Sequence, residues 1–248
     1  MKIIIAPAKK MVVDTDTFNY HALPQYLSQT KQLLAQLRQL SYAEAKSLWH
    51  CSDKLAQANY SWLQELNLTR QLTPAILSYS GIQYQYMAPD LFTDAGLKYV
   101  QNNLRILSGF YGILRPFDGV VPYRLEMQAK LKVNSSTNLY DFWGSQLYQA
   151  LTPQPEPIIN LASQEYAKSI RPYLKPNQPF ITIVFGSWVN GQFKTKATLA
   201  KMARGEMVRF LAENQITELA DIQKFDHPHY RFDAERSTPT EFIFSHID

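Results

Sequence analysis

Residues 104–127 read LRILSGFYGILRPFDGVVPYRLEM, and they carry the strongest structural signals in this 248-residue chain. The stretch holds three of the nine glycines and three arginines, Arg105, Arg115 and Arg124, among mainly apolar residues. A solvent-exposed loop does not need so many Leu, Ile and Phe side chains, and a core segment does not need three guanidinium groups. Ordinary packing therefore does not account for this composition.

Two glycines at the centre of this stretch, Gly109 and Gly112, predict a tight turn. They follow a segment from Thr93 to Leu107 whose cap residue and apolar spacing predict a helix that ends near Ser108. Such a turn is similar to the hairpin of a helix-hairpin-helix element, in which glycines let backbone N–H groups approach a phosphate. The alternative is a helix end followed by a turn into the next element, and the spacing alone favours this alternative.

The remaining chain alternates between strand and helix patterns. Asn190-Gly191 is the strongest turn signal, because both residues accept the positive φ of a type I′ turn. Early βα units and a late antiparallel hairpin indicate a mixed α/β (α+β) class, with one mixed sheet and surrounding helices in a single compact domain over residues 1–248. The predicted strands are 2–6, 74–79, 129–133, 157–161, 181–189, 192–196 and 241–245, and the predicted helices are 26–40, 41–51, 53–63, 93–107, 138–151, 163–172 and 198–214.

Composition excludes several classes of protein. A hydrophobic content of 46% indicates a globular chain, and no run approaches 18 consecutive apolar residues, which excludes a membrane span. Cys51 is the only cysteine, so an internal disulfide is excluded and a cytoplasmic location is favoured. The start MKIIIAPAKK predicts a first strand rather than a signal peptide, and the proline-rich residues 152–157 predict a loop rather than a domain linker.

Positive charge is concentrated in two parts of the chain. Residues 160–216 carry eight Lys or Arg against three acids, and residues 104–132 carry five against two. Residues 217–248 carry three basic residues against seven acids. An anionic partner is expected if the two basic segments meet on one face, whereas separate solvated helix faces would explain the same numbers.

Polar residues at predicted strand ends and helix starts are candidates for a ligand site. Lys9 follows the first strand, where α/β proteins often bind ligands, and it could contact a phosphate, act as a nucleophile, or simply be solvated. Arg124 and Glu126 are two residues apart, so both would point to one face of an extended segment or form a structural ion pair. Ser163 begins a short helix whose N-terminus could bind an anion.

A later helix carries three basic residues around a glycine. Lys201 and Arg204 share one face, and Arg209 lies four residues beyond Gly205. A glycine inside a helix costs about 1 kcal/mol against alanine. Gly205 therefore predicts a close approach by another backbone or by a ligand.

Signals for metal binding and for cofactor binding are weak. His227-Pro-His229 and His50-Cys51 lack further ligands at a convincing spacing, so no metal site is predicted. The chain also lacks the Gly-x-Ser-x-Gly, Cys-x-x-Cys and Gly-x-Gly-x-x-Gly patterns, and no cofactor is predicted.

Seven segments, spread over almost the whole chain, share their pattern with one protein family. They are PAK (7–9), SDKLA (52–56), LRILSGFYGILRPFD (104–118), PYRLEM (122–127), LYDFW (139–143), NLASQEY (160–166) and ARGEMVR (203–209). On these segments the chain resembles the YaaA family, the bacterial peroxide-stress proteins. Two positions depart from the family pattern: Ala6 stands where members often have serine, and Ser80-Gly-Ile82 stands where some have Lys-Gly-Asp. A hydroxyl group at the first position is therefore not essential to the site. The second departure weakens any catalytic role for a lysine or an aspartate at that position.

The resemblance implies both a function and a site. It implies one mixed α/β domain with a basic cleft and a helix-hairpin-helix element, binding of double-stranded DNA without strong sequence preference, and a cytoplasmic role in surviving hydrogen peroxide by limiting damage from free iron. No membrane and no obligate protein partner is expected. The predicted DNA-binding residues are Arg105, Gly109, Phe110, Tyr111, Gly112, Arg115, Lys201, Arg204 and Arg209, and the predicted cleft residues are Lys9, Lys54, Tyr123, Arg124, Glu126, Ser163, Tyr166 and Lys168.

Two other interpretations stay open at the level of sequence. An enzyme acting on a nucleobase, a nucleotide or damaged DNA would use a pocket of Lys9, Arg124 and Glu126, with Lys9 or Glu126 as nucleophile or acid–base group. An iron-handling protein is disfavoured by the missing ligand cluster. An open basic groove would favour binding, whereas a closed pocket with displaced pKa values would favour chemistry.

Overall fold

The computed structural model describes residues 1–151 and 156–247, and their β-structure consists of an eight-stranded sheet and a two-stranded sheet. The strands are β1 (Lys2–Ile5), β2 (Thr73–Pro74), β3 (Leu104–Ser108), β4 (Gly112–Leu114), β5 (Gly119–Val120), β6 (Ile158–Asn160), β7 (Phe180–Val189), β8 (Gln192–Lys194), β9 (Tyr230–Phe232) and β10 (Glu241–His246).

Helices surround these sheets and connect most of the strands. The α-helices are α1 (Leu27–Gln39), α2 (Tyr42–Trp49), α3 (Asp53–Glu65), α4 (Ala75–Ser78), α5 (Ile82–Met87), α6 (Asp94–Asn103), α7 (Leu139–Trp143), α8 (Gln146–Leu151), α9 (Gln164–Ala167), α10 (Ala197–Glu213) and α11 (Leu219–Ile222), with 3-10 turns at Pro89–Leu91 and Arg171–Tyr173.

The main sheet is mixed, as the sequence predicts. Strands β3, β1, β6, β7 and β10 lie side by side in this order and run parallel. At the edges, β4 pairs antiparallel with β3 and β9 pairs antiparallel with β10, while β8 pairs antiparallel with β7. Strands β2 and β5 form the small antiparallel sheet. The predicted fold class is confirmed.

Strand β1 lies within the main sheet, between β3 and β6. Ile3, Ile4 and Ile5 are each 0% exposed, because both faces of a parallel sheet are covered. A continuous run of β-branched residues fits this position, since such side chains pack well on a pleated surface. The parallel direction of β1 and β6 brings the loops that follow them to the same edge of the sheet.

The predicted helix 93–107 is correct at its start and wrong at its end. Thr93 caps α6 as predicted, with its Oγ1 accepting from the Gly96 N–H at 3.2 Å, but the helix stops at Asn103. Residues 104–108 form β3 instead, in parallel register with β1 through pairs such as Ile3 with Leu104. A short apolar run satisfies both helix and strand patterns, and pairing with a buried strand decides between them.

Three further sequence predictions need correction. Residues 74–79 were expected to form one strand, but they contain the helical turn α4, because Pro74 favours the start of a helical turn. Residues 129–133 alternate between buried and exposed as expected of a strand, yet only Val133 makes a bridge. The predicted helix 138–151 is divided into α7 and α8 at Gly144, whose φ is +50°.

Other local predictions are confirmed. Ser41 and Glu44 form the capping box of α2, and the hairpin of β7 and β8 turns at Asn190 and Gly191 with φ values of +52° and +74°. The expected loop at residues 152–157 falls mostly on residues 152–155, which lie outside the described residues. In the part of the chain that the structure describes, none of the helices has the length and apolar character that crossing a bilayer requires.

Helix α10 packs directly against α5 at Gly205. A Cβ atom built on Gly205 would lie 2.1 Å from the carbonyl oxygen of Gln83 and 2.9 Å from the backbone nitrogen of Met87. No side chain fits between these backbones, so glycine is required in spite of its low helix propensity. The close approach that the sequence predicts here is therefore made by another backbone.

We expect the substitution Gly205→Ala to lower the free energy of unfolding by about 2 kcal/mol or more, because the new methyl group forces two helix backbones apart. The gain in helix propensity, about 1 kcal/mol, is too small to offset this loss. Gly96→Ala is the matched control, since its Cβ would meet only side-chain atoms, those of Phe92 at 3.3 Å and Thr93 at 3.6 Å. Denaturant unfolding monitored by circular dichroism measures both variants, and equal stability of Gly205→Ala and the parent would contradict the prediction.

Candidate functional site

A cavity of about 580 Å³ opens at the carboxyl ends of β1 and β6. We call it the basic cavity. Four loops or helix starts and one face of α10 contribute to its lining, as expected for a ligand site in a parallel sheet. The lining residues are Ala6, Pro7, Ala8, Lys9, Lys10, Ser80, Gly81, Ile82, Gln83, Tyr84, Tyr123, Arg124, Leu125, Glu126, Ser163, Glu165, Tyr166, Thr198, Lys201 and Arg204.

Three charged residues on two loops form an ion-paired group in this cavity. Lys9 Nζ lies 2.9 Å from Glu126 Oε1, and Arg124 Nη2 lies 3.9 Å from the same oxygen. The Lys9 side chain is 65% exposed, whereas the Arg124 and Glu126 side chains are 12% and 20% exposed. Lys9 and Arg124 thus share one carboxylate, so this group carries one surplus positive charge.

Two tyrosines form part of the lining beside this group. Tyr123 Oη lies 2.9 Å from Tyr79 Oη and 2.6 Å from Ser108 Oγ, and its ring stacks on Phe110. Burial raises the pKa of Tyr123 to about 12, so its hydroxyl stays protonated and can donate a hydrogen bond at neutral pH. Burial also raises the pKa of Tyr166 well above its ordinary value.

Glu165 adds a second carboxyl group to the cavity. Its Oε1 accepts a hydrogen bond from the Gln128 N–H at 3.1 Å. Burial raises the pKa of Glu165, and the nearby Glu126 carboxylate adds to the rise, while the Gln128 N–H and Lys9 oppose it. Glu165 is therefore the carboxyl group in this cavity that keeps its proton to higher pH than an ordinary glutamate.

Helix α10 supplies cations that have no acidic partner. Lys201 and Arg204 line the cavity, and neither makes an ion pair with any described residue. Arg204 Nε is buried without a hydrogen-bond partner, and burial lowers the pKa of this guanidinium group. Arg204 is half-buried, and the next residue, Gly205, packs against the Gln83 backbone of α5.

The Gly109–Gly112 turn joins two antiparallel strands, β3 and β4, so the prediction of a helix-hairpin-helix element is wrong for this segment. Gly109, Phe110, Tyr111 and Gly112 are all buried. A Cβ on Gly109 would lie 2.7 Å from the Leu125 carbonyl oxygen, so the glycine serves close packing. The turn presents no accessible backbone N–H group to a DNA phosphate.

Other predicted site residues lie apart from the basic cavity. Lys54 and Lys168 are exposed and do not line it, and Lys168 Nζ lies 4.8 Å above the Tyr140 ring instead. Arg209 pairs with Glu213 along α10, at 2.7 Å. The structure therefore brings together six of the eight predicted cleft residues, namely Lys9, Tyr123, Arg124, Glu126, Ser163 and Tyr166, with Lys201 and Arg204 of the predicted DNA-binding set.

Arg105 and Arg115 belong to a separate, smaller cavity of about 270 Å³, which shares no lining residue with the basic cavity. The Asp118 carboxyl group interacts electrostatically with both arginines. Its Oδ2 accepts a hydrogen bond from the Arg115 N–H at 2.8 Å, and its Oδ1 lies 3.7 Å from Arg115 Nε. Burial raises the pKa of Asp118 to about 6, although both arginines oppose the rise. Arg105 Nη1 donates to the carbonyl oxygens of Gln101 and Leu104, so two of the three arginines in the opening stretch interact outside the basic cavity.

Several residues of the basic cavity were not predicted from the sequence. Lys10 had a signal, because it directly follows Lys9, and Glu165 lies in a segment that matches the family pattern. Gln83 and Tyr84 had none, because α5 was not predicted. Within the described residues, no three His, Cys, Asp or Glu side chains come together in a way that could hold a metal ion.

Comparison with protein-family models matches residues 1–236 to the family described as Peroxide stress protein YaaA. The chain belongs to the YaaA family. Among its relatives, a UPF0246 protein of Lactiplantibacillus plantarum is 70% identical over 98% of this chain and 98% of its own length. UPF0246 proteins of Pediococcus pentosaceus and Agathobacter rectalis are 55% and 49% identical over 98% of this chain, and over 97% and 98% of their own lengths. The family predicted from the sequence is confirmed for this YaaA protein.

We expect Asp118 to make this YaaA-family protein less stable as pH rises from about 4 to about 6. The unfolded carboxyl loses its proton near pH 4, whereas the folded one keeps it to about 6, so the stabilisation is fully present below pH 4 and is lost by pH 6. In Asp118→Asn this pH dependence should disappear. The unfolding free energy of the parent, relative to that of the variant, should therefore fall by up to about 3 kcal/mol as pH rises through this window.

Urea unfolding of both proteins at several pH values between about 4 and 7 measures this difference. Asp16→Asn is the control, because Asp16 is exposed and its loss changes the net charge equally. If the difference in unfolding free energy between Asp118→Asn and the parent stays constant with pH, the prediction is contradicted.

Proposed function

We propose that this YaaA-family protein is a cytoplasmic DNA-binding protein of the peroxide stress response, and that it holds the phosphate backbone without reading base sequence. One observation carries the proposal: Lys10, Lys201 and Arg204 line the basic cavity and have no ion-pair partner among the described residues. Arg204 is half-buried with its Nε enclosed, and removing part of an unpaired charge from water is unfavourable, so a bound anion would compensate this cost. Phosphate oxygens are suited to both guanidinium and ammonium groups.

The distribution of charge in the basic cavity supports an anionic partner. Five cationic side chains line the cavity against the two carboxylates Glu126 and Glu165, and Glu126 is already paired with Lys9. Contacts from Lys and Arg to phosphates supply affinity but little sequence information, because every nucleotide carries the same phosphate group. Since the Gly109–Gly112 turn is buried, the proposed contacts come from the cavity and not from that turn.

The proposal predicts salt-dependent binding of any duplex. Each phosphate contact contributes roughly −0.9 to the slope of log K against log salt, so three unpaired cations give a slope of about −3. Arg204→Gln should weaken binding of all duplexes by about tenfold and reduce the slope by about one, because one charged contact is lost. Fluorescence anisotropy with labelled duplexes of unrelated sequence, at several salt concentrations, measures both quantities.

Arg70→Gln is the control for this measurement, because Arg70 is exposed and does not line the basic cavity. It should leave affinity and slope nearly unchanged. No binding at low salt, or an affinity that ignores salt, would refute the proposed function. A strong preference for one sequence would refute the proposed mode of contact.

A second candidate function is an enzyme that acts on a nucleobase, a nucleotide or damaged DNA, and the Glu165 carboxyl favours it. Its raised pKa suits a general acid, since the group keeps its proton closer to neutral pH than an ordinary glutamate. The Lys9, Arg124 and Glu126 group lies in the same cavity. A displaced pKa in a concave site is typical of catalytic groups, although ion-pair networks produce such shifts as well.

This second function predicts a reaction that depends on the protonated Glu165. Duplexes with a damaged base or an abasic site are incubated with the protein from about pH 4.5 to 8, and base release and strand scission are measured. The rate should fall as pH rises through the raised pKa of Glu165, and Glu165→Gln should abolish it at every pH. Glu213→Gln, on the exposed side of α10, is the control. Bound but unchanged DNA at every pH would exclude this function for these substrates.

A further inference from the structure

Most of the buried hydrogen-bond donors that lack a partner belong to residues that line the basic cavity. Among the described residues, five buried side-chain nitrogen or oxygen atoms have no hydrogen-bond partner, and three of them belong to residues that line this cavity. These three are Gln83 Nε2, Arg124 Nε and Arg204 Nε, and all three are donors. Buried donors are almost always satisfied in folded proteins, so a ligand rich in acceptor oxygens and nitrogens is the natural complement.

Positive charge is uneven within the cavity. On the α10 side, Lys201 and Arg204 have no acid beside them, whereas on the opposite loops Lys9 and Arg124 share Glu126, with Glu165 nearby. A single anionic group is therefore best placed against α10. Lys10, on the loop after β1, is one further cation that is unpaired in the described part of the chain, and the rest of the lining offers hydrogen-bonding groups and aromatic rings, namely Gln83, Tyr84, Tyr123, Ser163, Glu165 and Tyr166.

The size of the cavity limits what can enter it. About 580 Å³ is typical of a site for one small organic molecule, so a double helix can contact the opening of the cavity but cannot enter it. A single nucleotide, by contrast, is of this class of size, and proteins that handle one base take it out of the stack into such a pocket. A nucleotide has a dianionic or monoanionic phosphate, which suits the cations on the α10 side. It also has a neutral base, which suits the hydrogen-bonding and aromatic groups on the opposite side.

We infer that the basic cavity binds one unpaired nucleotide of a DNA strand, with its phosphate at Lys201 and Arg204 and its base towards Tyr123 and Glu165. The inference rests on the proposed DNA binding and adds which part of the DNA enters the protein. A base towards this side can stack on an aromatic ring and exchange hydrogen bonds with the Gln83 amide and the Glu165 carboxyl.

Competition between DNA forms tests the inference. Anisotropy is measured for a perfectly paired duplex, the same duplex with one bulged nucleotide, and the single strand, all at one salt concentration. Because extruding a paired nucleotide costs a few kcal/mol, the bulged duplex should bind at least about tenfold more tightly than the paired one. In Arg204→Gln the bulged and the paired duplex should bind with equal affinity, because the lost contact weakens the bulged duplex more than the paired one, whereas Arg70→Gln should preserve the difference.

Folding is controlled in two ways. Thermal unfolding shows whether Arg204→Gln remains folded, and Lys201→Gln provides a second variant in which the lost side chain is exposed. Lys201→Gln should also reduce the preference for the bulged duplex, by several-fold. Its matched control is Lys98→Gln, an exposed lysine of α6 that does not line the cavity.

The outcomes separate this inference from the proposed function. Equal, salt-dependent affinity for paired and bulged duplexes would overturn the inference and leave DNA binding intact. Deoxyadenosine monophosphate should compete with the bulged duplex while deoxyadenosine should not, because only the former carries the phosphate. Binding of this mononucleotide without binding of any DNA would overturn both proposals in favour of a free nucleotide as ligand. Absence of binding to all of these probes would likewise overturn both.

Discussion

The contact between the backbones of α10 and α5 at Gly205 is the constraint on which the basic cavity depends. Two helices separated by ordinary side chains lie about 8–10 Å apart. With glycine at the contact, the Gln83 carbonyl comes within van der Waals range of the α10 backbone. Arg204, the residue before this contact, is half-buried with no acidic partner among the described residues, so a residue of a packed helix rather than of a dedicated binding loop supplies the unpaired charge.

The parallel sheet adds the second constraint. Loops that follow β1 and β6 must leave the sheet at the same edge. Lys9 therefore lies near Ser163 and Glu165, although the two loops are far apart in sequence. Arg124 and Glu126 reach this edge from the loop after β5. Because Glu126 pairs with both nearby cations, the two sides of the cavity differ in net charge, and this difference gives the ligand a direction.

The sequence was sufficient for the fold class, the family and most of the charged residues of the basic cavity, and insufficient where distant contacts decide. Residues 104–108 fit a helix or a strand locally, and only their pairing with β1 makes them a strand. Lys54 and Lys168 lie in or beside segments that match the family, but a matching segment does not show which way a side chain points. Gln83 could not be predicted as a site residue, because helix α5 was not predicted and a single uncharged amide forms no recognisable sequence pattern.

The hydroxyl groups of Ser108, Tyr123 and Tyr79 have a consequence that follows from counting protons. Ser108 Oγ accepts hydrogen bonds from the backbone N–H groups of Phe110 and Tyr111, so both of its lone pairs are occupied and its own proton must be donated to Tyr123. Tyr123 Oη also lies 2.9 Å from Tyr79 Oη, and either hydroxyl can donate in that contact. The backbone of the β3–β4 turn therefore decides that a tyrosine of the cavity wall accepts from Ser108, so a distant turn sets one polar contact of the wall without contributing a side chain to it.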